Sequence, residues 1–277
     1  MNLQLTITNN EFKLIRNLIY DQFGINLCEQ KKGLVVGRLR KVLNQNGFNS
    51  FGQYYDYVKS DTTGEALKTL IDKISTNHTY FFREKAHFDF LMKNTFPEIA
   101  QKIAGSKINN LRIWCAGCSS GEEPYTLAMI LLEYFGMKIS NWDTGILATD
   151  ISSEILEKAN EAIYATTNVA NLPNTYLHKY FKEISKETWA VKDKLKKLVL
   201  FKQLNLMRED YPFKGKFDVI FCRNVMIYFD NVKRENLINK FYKYTQPGGY
   251  LFVGHAESLT RYQCPYRYIK PGVYKKE

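Results

Sequence analysis

The chain has 277 residues, 45% of them apolar and 24% charged, which suits one large globular domain or a large one with a small companion and excludes low-complexity disorder. No apolar run reaches the ~20 residues that span a bilayer, and the amino-terminal MNLQLTITNNEF lacks the basic, apolar, small-residue order of a secretory leader, so a cytoplasmic protein is expected. A formal net charge of +11 points to an acidic partner, whether nucleic acid, an anionic membrane or an acidic protein face.

The first seventy-odd residues read as helices. Thr8 and Glu11 form a capping box ahead of Phe12, Ile15, Leu18 and Ile19, and Gly24 supplies a stop. A second helix is expected from about Gln30 to Asn44. Leu34, Val35, Leu39, Val42 and Leu43 mark its apolar side, and Lys31, Lys32, Arg38, Arg40 and Lys41 mark the other. Ser50 with Gln53 and Thr62 with Glu65 look like two further capping boxes, opening helices that contain Tyr54 to Val58 and Leu67 to Ile74.

From residue 111 strand and helix alternate. LRIWCA is a strand running into a glycine-containing loop, and EEPYTLAMILLEYF is a helix closed by Gly136. TGILATD, FDVIFC and YLFVGH are further strands, separated by helices read from SSEILEKANEAIY and NVKRENLINKFYKY, the latter with a TQPGG stop. That order implies an α/β fold whose parallel, doubly wound sheet is covered on both faces. Residues 165 to 203 fit it poorly, with a helical stretch around Tyr176 to Phe181 and strand-like pieces at Thr188 to Val191 and Leu198 to Phe201, so a small inserted subdomain is expected. The seven lysines between Lys182 and Lys202 read as a solvated face, because Phe181, Trp189 and Phe201 make no base-stacking motif.

Five scattered cysteines make no disulfide framework and fit a reducing compartment. Cys115 and Cys118 form a CxxC, but no second pair or nearby histidines complete a metal shell; they read as small residues in a tight loop, with no metal expected. That loop, AGCSSGEEP, carries the strongest chemical signal. Gly117 and Gly121 permit a tight turn and close backbone approach by a ligand, while the dinucleotide pattern GxGxxG is absent and no pyrophosphate is demanded. Asp150, ending the second strand, stands where an acid accepts both ribose hydroxyls of a nucleoside. Together with Glu122 and Glu123 at the loop's mouth, it suits a nucleoside with a cationic, unphosphorylated end, such as S-adenosylmethionine.

In order and spacing, STNHTYFFREKAHFDFL, RIWCAGCSSGEEPYTLAM, LATDISSEILEKANEAIY, FDVIFCRNVMIYFD and GGYLFVGHAESL resemble the signature blocks of the CheR family, the chemotaxis receptor methyltransferases. The resemblance covers nearly the whole chain. It implies a helical domain over 1–76 and a Rossmann-like methyltransferase domain over 77–277, with the insertion at 165–203 inside it. It further implies S-adenosylmethionine as methyl donor, S-adenosylhomocysteine as product, and glutamate side chains on the cytoplasmic helical region of chemoreceptors as substrate. Asn77, Thr79 and Arg83 match the segment folding over the cofactor; Ala116, Gly117, Glu122 and Glu123 match positions lining its methionine half, with either acid able to make the contact. Asp150 matches the ribose acid, Ile151 flanks the adenine, and Asn205 and Leu206 match an adenine-side pair. Arg223, Asn224 and Tyr228 match positions beside the methyl group. Phe81, Phe82 and Phe88 are read as core, and His87 and His255 as structural. The chain departs from the family at Cys115 and Cys118, whose size suits the turn. The insertion is a few residues short and lacks a glycine-containing turn, so no tether to a receptor carboxy-terminal pentapeptide is expected.

A carboxylate with an ordinary pKa near ~4.3 is ionised at neutral pH and needs no general base, so positioning is what the protein must supply. On the resemblance, Tyr228 is assigned to positioning beside the methyl group and Arg83 to aligning a carboxylate, the substrate's or the cofactor's. Lys31, Lys32, Arg38, Arg40 and Lys41 are read as a face that could steer an acidic receptor helix. A nucleic-acid amino-methyltransferase is the competing enzyme reading, but RNVMIYF lacks the Asn/Asp-Pro-Pro-aromatic motif that usually accompanies it. A non-catalytic adenosylmethionine sensor is the other alternative, disfavoured by the retained block from Arg223 to Asp230.

Overall fold

The computed structural model describes residues 5–103, 109–259 and 264–277. The chain opens with four helices, α1 (Asn9–Phe23), α2 (Lys32–Gln45), α3 (Phe51–Ser60) and α4 (Glu65–Ile74). The Thr8–Glu11 capping box is present and Gly24 ends α1 in the left-handed region at φ 71°. At α3 only half of the expected box forms: Ser50 Oγ accepts the Gln53 amide, while the Gln53 side chain reaches back to the Asn49 amide. At α4 the expected Thr62–Glu65 pair is replaced by Asp61, whose carboxylate accepts the amides of Thr63 and Ala66. An aspartate can cover two orphan amides where a threonine covers one, so it takes the cap. Phe12, Ile15, Ile19, Val35, Leu39, Phe51, Tyr54 and Leu70 fill the core between these helices.

After a linker over residues 75–84, α5 (Lys85–Phe90), a π turn (Leu91–Thr95) and α6 (Phe96–Ile103) lead into the sheet domain. Its elements are β1 (Asn110–Ala116), α7 (Glu122–Phe135), β2 (Asp143–Asp150), α8 (Ser153–Glu161), β3 (Ile163–Ala165), α9 (Thr166–Val169), α10 (Asn174–Tyr180), β4 (Phe181–Ser185) and β5 (Thr188–Val191). They continue as α11 (Asp193–Lys196), β6 (Val199–Gln203), β7 (Phe217–Cys222), α12 (Asn231–Tyr244), β8 (Thr245–Val253), β9 (Arg267–Lys270) and β10 (Val273–Lys275). Among the described residues no helix is long and apolar enough to cross a membrane.

The main sheet has the order β6-β2-β1-β7-β8-β10-β9. Five strands run parallel, as the alternation requires. The last two are antiparallel, so the sheet is mixed and a carboxy-terminal hairpin closes its edge. The strand-like piece at 198–201 belongs to this sheet as edge strand β6, not to the insertion; the insertion's own sheet has the order β3-β5-β4 and takes in Ile163–Ala165, which the sequence pattern had continued as helix. The TQPGG segment likewise lies within β8. Successive connections lead outward in opposite directions from β1 and β7, which opens a crevice at their carboxyl ends.

Candidate active site

The four loops that leave β1, β2, β6 and β7 converge on that crevice, and the helical domain closes it from above. The resulting cleft has a volume of about 290 Å³ and is lined from below by residues 117–119, 150–151, 204–206, 223–225 and 227–229, and from above by Phe23, Ile25, Leu27, Lys31 and Leu34. Asn77, Thr79 and Arg83 of the linker form its side. The domains are joined around it. Tyr20 donates to the Asp230 carboxylate, Asn205 Nδ2 to the Gln22 carbonyl, and the Asn26 amide to the Tyr228 carbonyl.

The β1 loop is fixed by its own backbone. The amides of Gly117 and Cys118 both donate to the Thr149 carbonyl, at 2.7 and 2.9 Å. Gly117 has φ 81°, and a Cβ there would lie 2.3 Å from Val225 Cγ2, so only glycine lets the β1 and β7 loops meet. Asp150 is buried beneath the loop. One carboxylate oxygen accepts the Ser119 amide at 2.8 Å and the other the Ser152 amide at 3.1 Å, leaving lone pairs on both for a ligand. Burial pushes its pKa up, and those backbone bonds oppose the rise.

The two acids that open α7 differ in placement. Glu122 turns inward, accepts the Ser120 hydroxyl at 2.6 Å, and does not line the cleft; burial raises its pKa. Glu123 does line it. Its carboxylate accepts the Cys115 thiol at 3.0 Å and pairs with Arg223 at 2.7 Å. Arg223 is itself buried, lies 3.1 Å from Glu84 and donates to the Arg83 carbonyl, so it ties the linker to the sheet. Burial alone would raise the Glu84 carboxyl, but the charge and hydrogen bond of Arg223 carry it below its usual range. His87, fully buried behind this pair, has its pKa lowered to about 4, first by desolvation and then by the Arg223 charge.

Arg83 faces the cleft with Nη1 donating to the His78 carbonyl at 2.8 Å, and its guanidinium lies 5.8 Å from the centre of the Tyr80 ring. Four of the five described non-glycine residues with positive φ are Phe82, Glu84, Ser119 and Asn224, at or beside the cleft. Backbone strain of this kind persists only where surrounding contacts over-determine it, and it concentrates at working sites.

Of the residues singled out from sequence, Asn77, Thr79, Arg83, Gly117, Glu123, Asp150, Ile151, Asn205, Leu206, Arg223, Asn224 and Tyr228 line this one cleft, together with Lys31. Ala116 and Glu122 do not. The basic residues of the second helix divide. Lys32 bonds Asn9 at 2.6 Å, whereas Arg40 and Lys41 are exposed. Arg38 is not a free surface cation: it donates to the carbonyls of Ile74 and Ser75 and to the Thr76 hydroxyl, clamping the start of the linker. Sequence reasoning missed the apolar lid of Phe23, Ile25 and Leu27, although alternation around Gly24 carried a faint signal. It also missed Glu257, whose carboxylate accepts the amides of Asn224 and Ile227, 33 and 30 residues away, as well as that of nearby Gly254.

The donor set fits S-adenosylmethionine. Asp150 offers a pair of acceptors for a ribose diol, Glu123 an acid for an ammonium group, and Ile151, Leu204 and Leu206 apolar surface for an adenine. A family model described as CheR methyltransferase, SAM binding domain, matches residues 77–273, and one described as CheR methyltransferase, all-alpha domain, matches residues 10–75. The chain is 48% identical over 275 residues to the chemotaxis protein methyltransferase of Borreliella burgdorferi, covering 99% of this chain and 97% of that one. It is 38% identical to chemotaxis protein methyltransferase 2 of Vibrio cholerae over 259 residues, 93% of this chain and 88% of that one. To the chemotaxis protein methyltransferase of Escherichia coli it is 35% identical over 263 residues, 94% and 88% of the two chains.

Proposed function

The chain belongs to the CheR methyltransferase family and is an S-adenosylmethionine-dependent chemotaxis methyltransferase, and from that premise we propose that it esterifies glutamate side chains on the cytoplasmic helices of chemoreceptors. The observation that carries the reading is the pairing, on one cleft, of buried Asp150 with Glu123 and Arg83. When bound, the cofactor supplies an activated methyl group on a sulfonium.

Asp150 takes the ribose hydroxyls on the lone pairs that the Ser119 and Ser152 amides leave free. Glu123, held in place by Arg223, takes the amino group of the methionine half. Arg83 binds a carboxylate as a forked donor, and Tyr228 bounds the space beside it. A substrate glutamate arrives ionised, so no residue needs to remove a proton. Neutralisation of carboxylate and sulfonium as the bond forms is favoured in a closed site poor in water, and the apolar lid from the helical domain provides one. What the chain would contribute is orientation: Arg83 and Tyr228 would hold the substrate carboxylate beside the cofactor's methyl-bearing end.

Lys31 at the cleft's rim, with exposed Arg40 and Lys41, draws an acidic receptor helix towards the opening. Docking does not use a receptor carboxy-terminal pentapeptide, because only Lys186 and Glu187 separate β4 from β5 and no glycine opens that turn. Receptor-bearing membranes incubated with labelled cofactor test the substrate: label released by mild base identifies a carboxyl ester, and base-stable label overturns the proposal.

A further inference from the structure

We propose that Glu257 is the positioning residue for the methyl-transfer end of the cleft, its buried carboxylate setting the loop that carries Asn224 and Tyr228. The meaning of that end of the cleft rests on the transferase reading above; the geometry of the loop does not.

Glu257 is 7% exposed and does not line the cleft. Its Oε2 accepts the amides of Asn224 and Gly254, each at 2.7 Å, and its Oε1 accepts the Ile227 amide at 3.2 Å. One side chain thus fastens two strand-end loops to each other, that following β7 and that following β8. Of these three donors that of Gly254 is buried and those of Asn224 and Ile227 are partly so, and among the described hydrogen bonds this carboxylate is the acceptor they share.

Asn224 sits at φ 59°, in the left-handed region that asparagine tolerates better than most residues, and the Glu257 carboxylate fixes its amide there. At Gly254 a Cβ would lie 2.6 Å from Asn224 Nδ2, 2.8 Å from Glu257 Oε2 and 3.0 Å from the Asn224 amide nitrogen, so a larger residue would displace the two side chains that meet there. Ile227 and Tyr228 ride on the short 3-10 turn that follows, and both reach the cleft. From the opposite side the turn is held by the Asn26 amide of the helical domain, which bonds the Tyr228 carbonyl at 2.8 Å. Within the sheet domain Glu257 thus holds the turn by its amides while Arg234 Nε of α12 donates to the Met226 carbonyl at 2.7 Å, and displacement of a positioning group by about 1 Å is enough to lower turnover on the order of 100-fold.

Glu257→Gln keeps the shape but turns one acceptor into a donor facing donors. Glu257→Asp keeps the charge but is one methylene shorter and reaches only one of the two loops. In E257Q, kcat on receptor membranes should fall about 10- to 100-fold while the Kd for S-adenosylhomocysteine and the receptor KM stay within about threefold, with E257D between E257Q and the parent chain. Amide hydrogen exchange should quicken over residues 223–229 and remain unchanged in β1 and α7. An unchanged kcat together with unchanged exchange overturns the proposal, as does a kcat loss that tracks an equal loss of cofactor affinity. Should E257Q fail to fold, E257D decides alone by the same split. If the parent chain itself transfers no methyl group to receptors, the substrate reading falls, and the exchange comparison still decides the role of Glu257.

Discussion

The two walls of the cleft are built on opposite principles. The sheet wall sets fixed polar groups among apolar ones: Asp150 is bonded on both oxygens, Glu123 is locked to Arg223, and the loops from β1 and β7 touch at Gly117 with no space for a Cβ, beside the apolar Ile151, Leu204 and Leu206. The helical wall is apolar, with Phe23, Ile25, Leu27 and Leu34 presented to the cleft and the cation of Lys31 at its edge. Such a division separates two tasks. A wall of preset polar groups discriminates one small molecule from another, and an apolar cover with loose cations excludes water and attracts a large acidic partner.

Substitutions can set one wall against the other. The largest effect is expected on the sheet wall, where Asp150→Ala removes the ribose acceptor and orphans two amides. Charged hydrogen bonds of about 1.5–3 kcal/mol translate into roughly 10- to 150-fold weaker binding of S-adenosylhomocysteine, measured by calorimetry. At the junction, Arg83→Ala should lower receptor methylation about 10- to 100-fold and leave the melting temperature within a few degrees, since its one side-chain hydrogen bond stays within the linker. Equal turnover in the variant would remove Arg83 from the site.

On the helical wall the effect should be smaller and salt-dependent. Reversing Arg40 and Lys41 to glutamate is expected to raise the receptor KM about tenfold at low ionic strength and to fade as salt screens the surface. Arg38→Glu sharpens the contrast, because Arg38 clamps the linker; its reversal should lower thermal stability and cofactor affinity at every salt concentration. The smallest effect concerns His87 behind the sheet wall. Its folded pKa of about 4 lies below the ordinary 6.5, so the unfolded chain binds the extra proton first as pH falls. Stability from this group is complete above pH 6.5 and declines below it, by about 1 kcal/mol between pH 7 and 6, or some ~2–4 °C in melting temperature. His87→Gln should flatten that slope, and an unaltered slope would show that other groups set it.

The same contrast explains what could be read before the coordinates. The sheet wall was legible because its signals are local: a glycine loop directly after a strand, an acid ending the next strand, a block around Arg223. Helical periodicity revealed α1 to α4 for the same reason. Arg38 was misplaced because periodicity places it on a polar face and cannot tell a free guanidinium from one gripping carbonyls 36 and 37 residues later. Glu257 escaped because two of its three partners, Asn224 and Ile227, are brought near only when β7 and β8 pair. The edge strand β6 is hard to place from sequence because the four-residue apolar run from Leu198 to Phe201 does not declare its neighbour, and the closing hairpin of β9 and β10 is too short to stand out.

The floor of the cleft also sets how the protein meets electrophiles. Cys115, Cys118 and Cys222 are buried, and burial pushes all three thiols well above their ordinary range, so almost no thiolate exists there to react. Cys28 is exposed, on the turn leading into α2, whereas Cys264 is half-buried and burial raises its thiol as well. A maleimide dye should therefore label Cys28 first, a ready-made fluorescent reporter for motions of the helical cap, with Cys264 a slower second site.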